Sequence, residues 1–187
     1  MNNNSIGFFD SGIGGITIWE SINRLLPNEN TIYFADSINS PYGTKSNDEL
    51  INICKSNVDY LIKKKCKIIV VACNTATTNS INFLRKSYDI PFVGIEPAIK
   101  PAALNTKTGK IGVLATKGTL GSSLFEKTSN IHGHNVEIIE QHGIGLVELI
   151  EKGIYSGSKI DSLLREYINP IDRKSTRLNS SHLVISY

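Results

Sequence analysis

Ile69-Val70-Val71-Ala72-Cys73-Asn74-Thr75-Ala76-Thr77-Thr78 runs from an apolar strand into a Thr/Asn-rich turn and then a helix, with a single thiol at the junction. An uninterrupted β-branched run fits a strand covered on both faces, as in a parallel sheet. The helix start offers unpaired N–H groups and the positive end of the macrodipole, both of which favour a thiolate or a bound carboxylate. A free thiol ionises near pH 8.5, so this position is expected to raise the thiolate fraction of Cys73 near neutrality. The alternative is that Cys73 is a small, inert residue at a strand end.

Outward from this junction, short apolar runs alternate with segments of helical period, the pattern of βα units around a mainly parallel sheet. Strands are expected at Ile6–Phe9, Thr31–Ala35, Lys67–Ala72, Phe92–Ile95, Lys110–Ala115 and Asn135–Glu140. Helices are expected at Gly15–Leu26, Asn47–Lys65, Ala76–Ser87, Ile99–Leu104, Gly118–Lys127, Ile144–Lys152 and Lys159–Ile168. Pro27, Pro91, Pro97 and Pro101 punctuate element ends, where a missing N–H is tolerated. Gly94-Ile95-Glu96-Pro97-Ala98 closes four βα-type elements and a new strand starts at Lys110, which places a boundary between a first α/β domain, 1–96, and a second, 97–171. From Asp172 to His182 the chain matches, residue for residue, a translated sequencing-library adapter and has neither a strand nor a helix period. Residues 172–187 are therefore expected to be an artefact lying outside the fold, with the second domain incomplete.

The chain has 187 residues, enough for a sizeable core. Its 20 basic and 17 acidic residues are interspersed, with no dense basic stripe of the kind that nucleic acid requires. Three cysteines, Cys54, Cys66 and Cys73, lack CxxC spacing, so neither a disulfide framework nor a zinc site is indicated, and a reducing cytoplasm is expected. No run approaches the ~20 apolar residues of a membrane span. His132-Gly133-His134 has the look of a metal pair without a suitably spaced third ligand, so no metal is expected.

Three polar loops follow three different strands. Asp10-Ser11-Gly12-Ile13-Gly14-Gly15 invites comparison with a dinucleotide-binding glycine loop, but the third glycine position falls on Thr17. Asp36 could then serve as the ribose-binding acid, which keeps a dinucleotide-binding domain as a rival reading. Against it, Asp10 and Ser11 bring a carboxylate and a hydroxyl to the point where a phosphate must approach, and these suit a cationic group or proton transfer. Both residues could also simply cap the first helix. Pro41-Tyr42-Gly43 reads as an ordinary surface turn or as a rigid ligand-facing one. In open α/β sheets such loops share one crevice at the strands' carboxyl ends, together with Cys73-Asn74-Thr75.

Phe9-Asp10-Ser11-Gly12-Ile13-Gly14-Gly15, Pro41-Tyr42-Gly43, Cys73-Asn74-Thr75-Ala76-Thr77 and Leu114-Ala115-Thr116-Lys117-Gly118-Thr119 together resemble the motifs of the glutamate racemase family, in order and at fitting separations. The resemblance spans residues 5–171. It implies two similar α/β domains with mainly parallel sheets, an active site between them, and cofactor-independent interconversion of L- and D-glutamate for bacterial peptidoglycan. Removing the Cα proton from one face and returning it to the other calls for two acid/base groups. By resemblance, Cys73 is the first of them, with Asp10 the carboxylate beside it. Ser11, Pro41, Tyr42, Gly43, Asn74 and Thr75 fall at substrate-binding positions, and Thr116, Thr119 and Glu151 are the second domain's contribution. Glu148 competes with Glu151, and both also fit a solvated helix face.

The family's second cysteine lies in a Cys-Thr-His segment, and this chain has none. Cys54 and Cys66 belong to the Asn47–Lys65 region, Cys54 on its inner face and Cys66 at its end, and read as packing residues. The resemblance therefore implies a C-terminally truncated racemase, inactive as written, with glutamate as its small-molecule ligand and room for a homodimer of the full-length protein. Aspartate or a related acid is an alternative substrate, and a non-catalytic small-acid-binding protein an alternative role.

Overall fold

The computed structural model describes residues 4–175 and 182–186. It divides into two compact units, 1–96 and 97–187.

The first unit holds four parallel strands, β1 (Ile6–Asp10), β2 (Thr31–Ala35), β3 (Ile68–Val71) and β4 (Phe92–Gly94), in the order β2-β1-β3-β4. Helices α1 (Ile16–Leu25), α2 (Asn47–Lys63) and α3 (Asn74–Ser87) connect them. Alternation along the strands gives the sheet two apolar faces. Ile6, Phe8 and Val70 receive Ile18, Trp19 and Ile22 of α1. On the other face, α2 brings Leu50, Cys54, Val58 and Leu61, and α3 brings Ile81 and Leu84, all buried. Cys54 is thus an inward packing residue and Cys66 a buried one just beyond the end of α2. The start of α2 is fixed by a capping box, in which the Ser46 hydroxyl accepts from Glu49 N–H while the Glu49 carboxylate accepts from Ser46 N–H.

The second unit centres on β5 (Lys110–Ala115), flanked in parallel by β6 (Glu137–His142) and β7 (His182–Ser186). Ile111, Val113 and Ala115 pack with Ile99 and Ala102 of α4 (Ile99–Asn105), with Leu120 of α5 (Lys117–Leu120) and with Phe125 of α6 (Ser123–His132). Leu114 faces the other way, onto Leu146 and Leu149 of α7 (Leu146–Glu151) and Ile160 and Tyr167 of α8 (Ser158–Ser175). No helix among the described residues is long and apolar enough to cross a membrane.

Two expectations change. The single helix anticipated over Gly118–Lys127 is two, because Ser122 breaks it: its hydroxyl accepts from Phe125 N–H at 3.2 Å and starts α6 afresh. Regular structure also continues past Ile171. Helix α8 runs to Ser175 through Pro170, and His182–Ser186 pairs with β5. Leu183-Val184-Ile185 is a strand-forming run, and β5 offers it an edge opposite β6. The rest of the expected tail, 176–181 and 187, lies outside the described residues.

Gly7 allows α2 to approach β1, since a Cβ there would stand 2.8 Å from Cys66 Sγ and 3.3 Å from Leu61 Cδ1. Gly7→Ala should destabilise the chain by about 1–3 kcal/mol in urea unfolding. The double variant Gly7→Ala/Cys66→Ala should lose less than the two single losses combined, because removing the sulfur relieves the clash.

Candidate active site

Register sets the site. Asp36 N–H donates to the Asp10 carbonyl at 2.9 Å, and Ala72 N–H to the Phe9 carbonyl at 2.9 Å, so β1, β2 and β3 end level and deliver Asp10, Asp36 and Cys73 to one edge.

Asp10 is 3% exposed. Its Oδ2 accepts from Gly12 N–H and Gly15 N–H, both at 3.1 Å, which folds the glycine loop around the carboxylate. Tyr33 hydroxyl closes the same loop by donating to the Gly12 carbonyl at 3.0 Å. Gly15 is required by close approach: a Cβ would lie 2.6 Å from that of Ala72 and 3.0 Å from that of Asp10. Neither Asp10 nor Ser11 caps α1 directly, since Gly15 occupies the N-cap without a side-chain bond. Asp10 instead shapes the turn that leads into the helix.

Cys73 is the N-cap of α3, 1% exposed, with polar groups around its sulfur. The thiol donates to Ser11 Oγ at 3.7 Å and accepts from Ala76 N–H at 3.4 Å. Burial, reinforced by the Asp10 charge, pushes this thiol up from 9.0 to about 12, against the lowering contacts of Ala76 and Ser11. The expected rise in thiolate fraction is therefore reversed: desolvation of a buried charge outweighs one helix terminus. Beside it, Asn74 Oδ1 is buried and meets no hydrogen-bond donor among the described residues. Thr75 is buried, and its carbonyl accepts from Asn79 Nδ2 at 2.8 Å.

The Ser40–Pro41 bond is cis, and Tyr42–Thr44 forms one 3-10 turn packed against α3. Tyr42 is not a surface turn residue. Its ring is buried and its hydroxyl donates to Asp36 Oδ2 at 2.5 Å and accepts from Asn57 Nδ2 at 2.9 Å. Burial, with the Asp36 carboxylate next in weight, raises the Tyr42 hydroxyl far above its ordinary value. Asp36 is thus committed to protein donors, and Asp10 takes the glycine-loop amides that a phosphate would need, which removes the basis for dinucleotide binding.

In the second unit, Thr116 caps α5: its Oγ1 accepts from Thr119 N–H at 3.2 Å and lies 3.1 Å from Thr119 Oγ1. Glu151 ends α7 half-buried, whereas Glu148 is exposed and fits the solvated face. Among the described residues no group of three or more His, Cys, Asp or Glu side chains could hold a metal ion. Sequence reasoning missed Asn57. The available signal was its place on the apolar stripe Leu50, Cys54, Asn57, Val58, Leu61, where a polar residue needs partners.

Residues 14–170 match the family described as Asp/Glu/Hydantoin racemase. The chain belongs to that family. Within it, this racemase-family chain is 44% identical over 176 residues to a glutamate racemase of Clostridium perfringens, covering 93% of this chain and 68% of that protein. A glutamate racemase of Clostridium novyi is 45% identical over 170 residues, covering 90% and 66%. A solved glutamate racemase from Bacillus anthracis superposes with TM-score 0.80 at 30% identity, over 92% of this chain and 65% of that one. The Escherichia coli glutamate racemase, solved with L-glutamate and the activator UDP-MurNAc-Ala, gives TM-score 0.82 at 29% identity, over 97% and 77%. The chain spans about two thirds of the length of the curated relatives it matches.

The electrostatics of Cys73 are open to direct measurement. Near pH 8, iodoacetamide should label Cys73 well below the rate of a free cysteine, with the rate climbing as pH rises, because only the thiolate reacts. Asp10→Asn removes the negative charge that adds to burial in holding the thiol up, so labelling of the Cys73 peptide, followed by mass spectrometry, should become faster at about the same pH. A slower reaction in that variant would contradict the sign.

Proposed function

We propose that the edge formed by Asp10, Ser11, Tyr42, Gly43, Cys73, Asn74 and Thr75 is the glutamate-binding, proton-transfer site of a cofactor-independent glutamate racemase, acting in the cytoplasm and supplying D-glutamate for peptidoglycan. One observation carries the reading: a thiol surrounded by hydrogen-bonding groups stands next to a buried amide oxygen, Asn74 Oδ1, that lacks a donor. A buried acceptor without a partner is costly, and a substrate ammonium would supply the missing donor. The positive end of the 14-residue helix α3 suits a substrate carboxylate.

The chemistry follows from charge. Cys73, protonated at rest, delivers its proton to one face of a Cα carbanion. In the reverse direction it must act as thiolate, and an ammonium bound at Asn74 brings a positive charge that favours ionisation. Asp10 works through Cys73, its carboxylate pinned by two loop amides and opposing thiolate formation until the substrate arrives. In the second unit Thr116, Thr119 and Glu151 are the substrate-binding candidates. All three cysteines lie in the first unit, and only Cys73 stands at this site, so the group for the opposite face of Cα is not another thiol of this chain.

L- or D-glutamate should slow alkylation of Cys73 in the 187-residue chain, and the same chain should show no racemisation by chiral chromatography. Equal labelling with and without glutamate would reject the ligand. When these residues are joined to a second acid/base thiol, glutamate should exchange its Cα proton with solvent deuterium without added cofactor. Cys73→Ser should then cut turnover about 10²–10⁴-fold. Near-normal turnover would reject the role of the thiol.

A further inference from the structure

Asp36 has no assigned part in this chemistry, yet it is among the most densely bonded side chains of the first unit. It follows β2 directly and is 6% exposed. Asn39 Nδ2 donates to both carboxylate oxygens at 2.9 Å, while Tyr42 hydroxyl and Asn57 Nδ2 donate to Oδ2, at 2.5 and 3.4 Å. Asn57, on α2, also donates to the Tyr42 hydroxyl. No ion pair reaches Asp36 among the described residues. A buried carboxylate held only by neutral donors is a poor device for stability, since desolvation costs several kcal/mol and an apolar replacement of the whole cluster is often neutral or better. What such a network does provide is one fixed arrangement of the groups that share it.

The groups it ties together are those of the site. The backbone N–H of Asp36 bonds the carbonyl of Asp10, and its carboxylate bonds Tyr42 in the middle of the Pro41–Gly43 loop. We propose that Asp36 is a positioning residue of the site: its buried carboxylate, held to the Tyr42 hydroxyl, sets where the Pro41–Tyr42–Gly43 backbone stands relative to Asp10 and Cys73. The inference rests on the reading of this edge as the glutamate site for its functional consequence, but its structural part stands without it.

The test uses the 187-residue chain and the variants Asp36→Asn, Tyr42→Phe and their double. Tyr42→Phe keeps the ring and the backbone and removes only the hydroxyl. By NMR without ligand, the wild type should show a slowly exchanging hydroxyl proton that Tyr42→Phe abolishes and Asp36→Asn shifts or exposes to fast exchange. A Tyr42 hydroxyl signal unchanged in Asp36→Asn overturns the proposal. The glutamate concentration that half-protects Cys73 should then rise on the order of tenfold in each single variant, the scale of a lost hydrogen bond to a charged group. The double variant should be no worse than the worse single, because both remove one interaction. Independent, additive losses overturn the proposal. If glutamate fails to protect the wild type, the ligand assignment fails, and the ligand-free labelling rate of Cys73 decides the positioning role. Faster labelling in both singles, not compounded in the double, supports it, and unchanged rates overturn it. Should Asp36→Asn not fold, Tyr42→Phe decides alone, since it removes the same bond from the other side: unchanged half-protection by glutamate and an unchanged ligand-free labelling rate of Cys73 overturn the proposal.

Discussion

The parallel pairing of β1 with β2 on one side and β3 on the other is the constraint on which the first unit depends. Phe8 opposes Tyr33 and Val70, so every residue beyond the strands is placed by that register. A slip of one residue on any of the three would turn its end residue to the opposite face of the sheet. The bonds from Asp36 N–H to Asp10 and from Ala72 N–H to Phe9 extend the ladder by one step and end it. Backbone pairing therefore holds the carboxylates and the thiol in place, while the helices cover the apolar faces behind them.

Among the described residues, no ion pair reaches either of the two buried carboxylates at this edge. Asp10 is solvated by loop amides and Asp36 by side-chain amides and a phenol, and each organises the loop that satisfies it. This is the pattern expected where geometry is required more than net stabilisation. The glycines follow from the same demand. At Gly15 a side chain would collide with Ala72 and Asp10, so the loop can close around the carboxylate only with hydrogen in that position.

The resting state of the thiol is set by depth. A cysteine at the start of a 14-residue helix has both a dipole and a free amide in its favour, and Cys73 uses one of those amides, from Ala76. Its burial and the nearby negative charge nevertheless dominate and keep the proton on sulfur. A cationic group brought beside the sulfur would shift that balance towards the thiolate.

Much of the chain was legible locally. Alternating apolar runs and helical periods give the βα order, because strand and helix periodicity follow from local backbone geometry; Thr31–Ala35 and Lys110–Ala115 match the observed strands residue for residue. The motif residues identify the family, and the loops after β1 and β3 bring Ser11 and Cys73 into contact as a shared crevice requires. Other features depended on partners remote in sequence. Asn57 lies 21 residues from Asp36 and 15 from Tyr42, so no local pattern announces that the three form one network, or that Tyr42 is buried rather than displayed. The ionisation of Cys73 likewise depends on a residue 63 positions away and on how much protein surrounds the sulfur. The pairing of His182–Ser186 uses the edge of β5 opposite β6, a partner remote in sequence. Sequence alone determined the family and the βα order as far as Ile168, apart from the break between α5 and α6, whereas burial and long-range hydrogen bonding decided protonation and loop position, because both depend on the three-dimensional surroundings of each group.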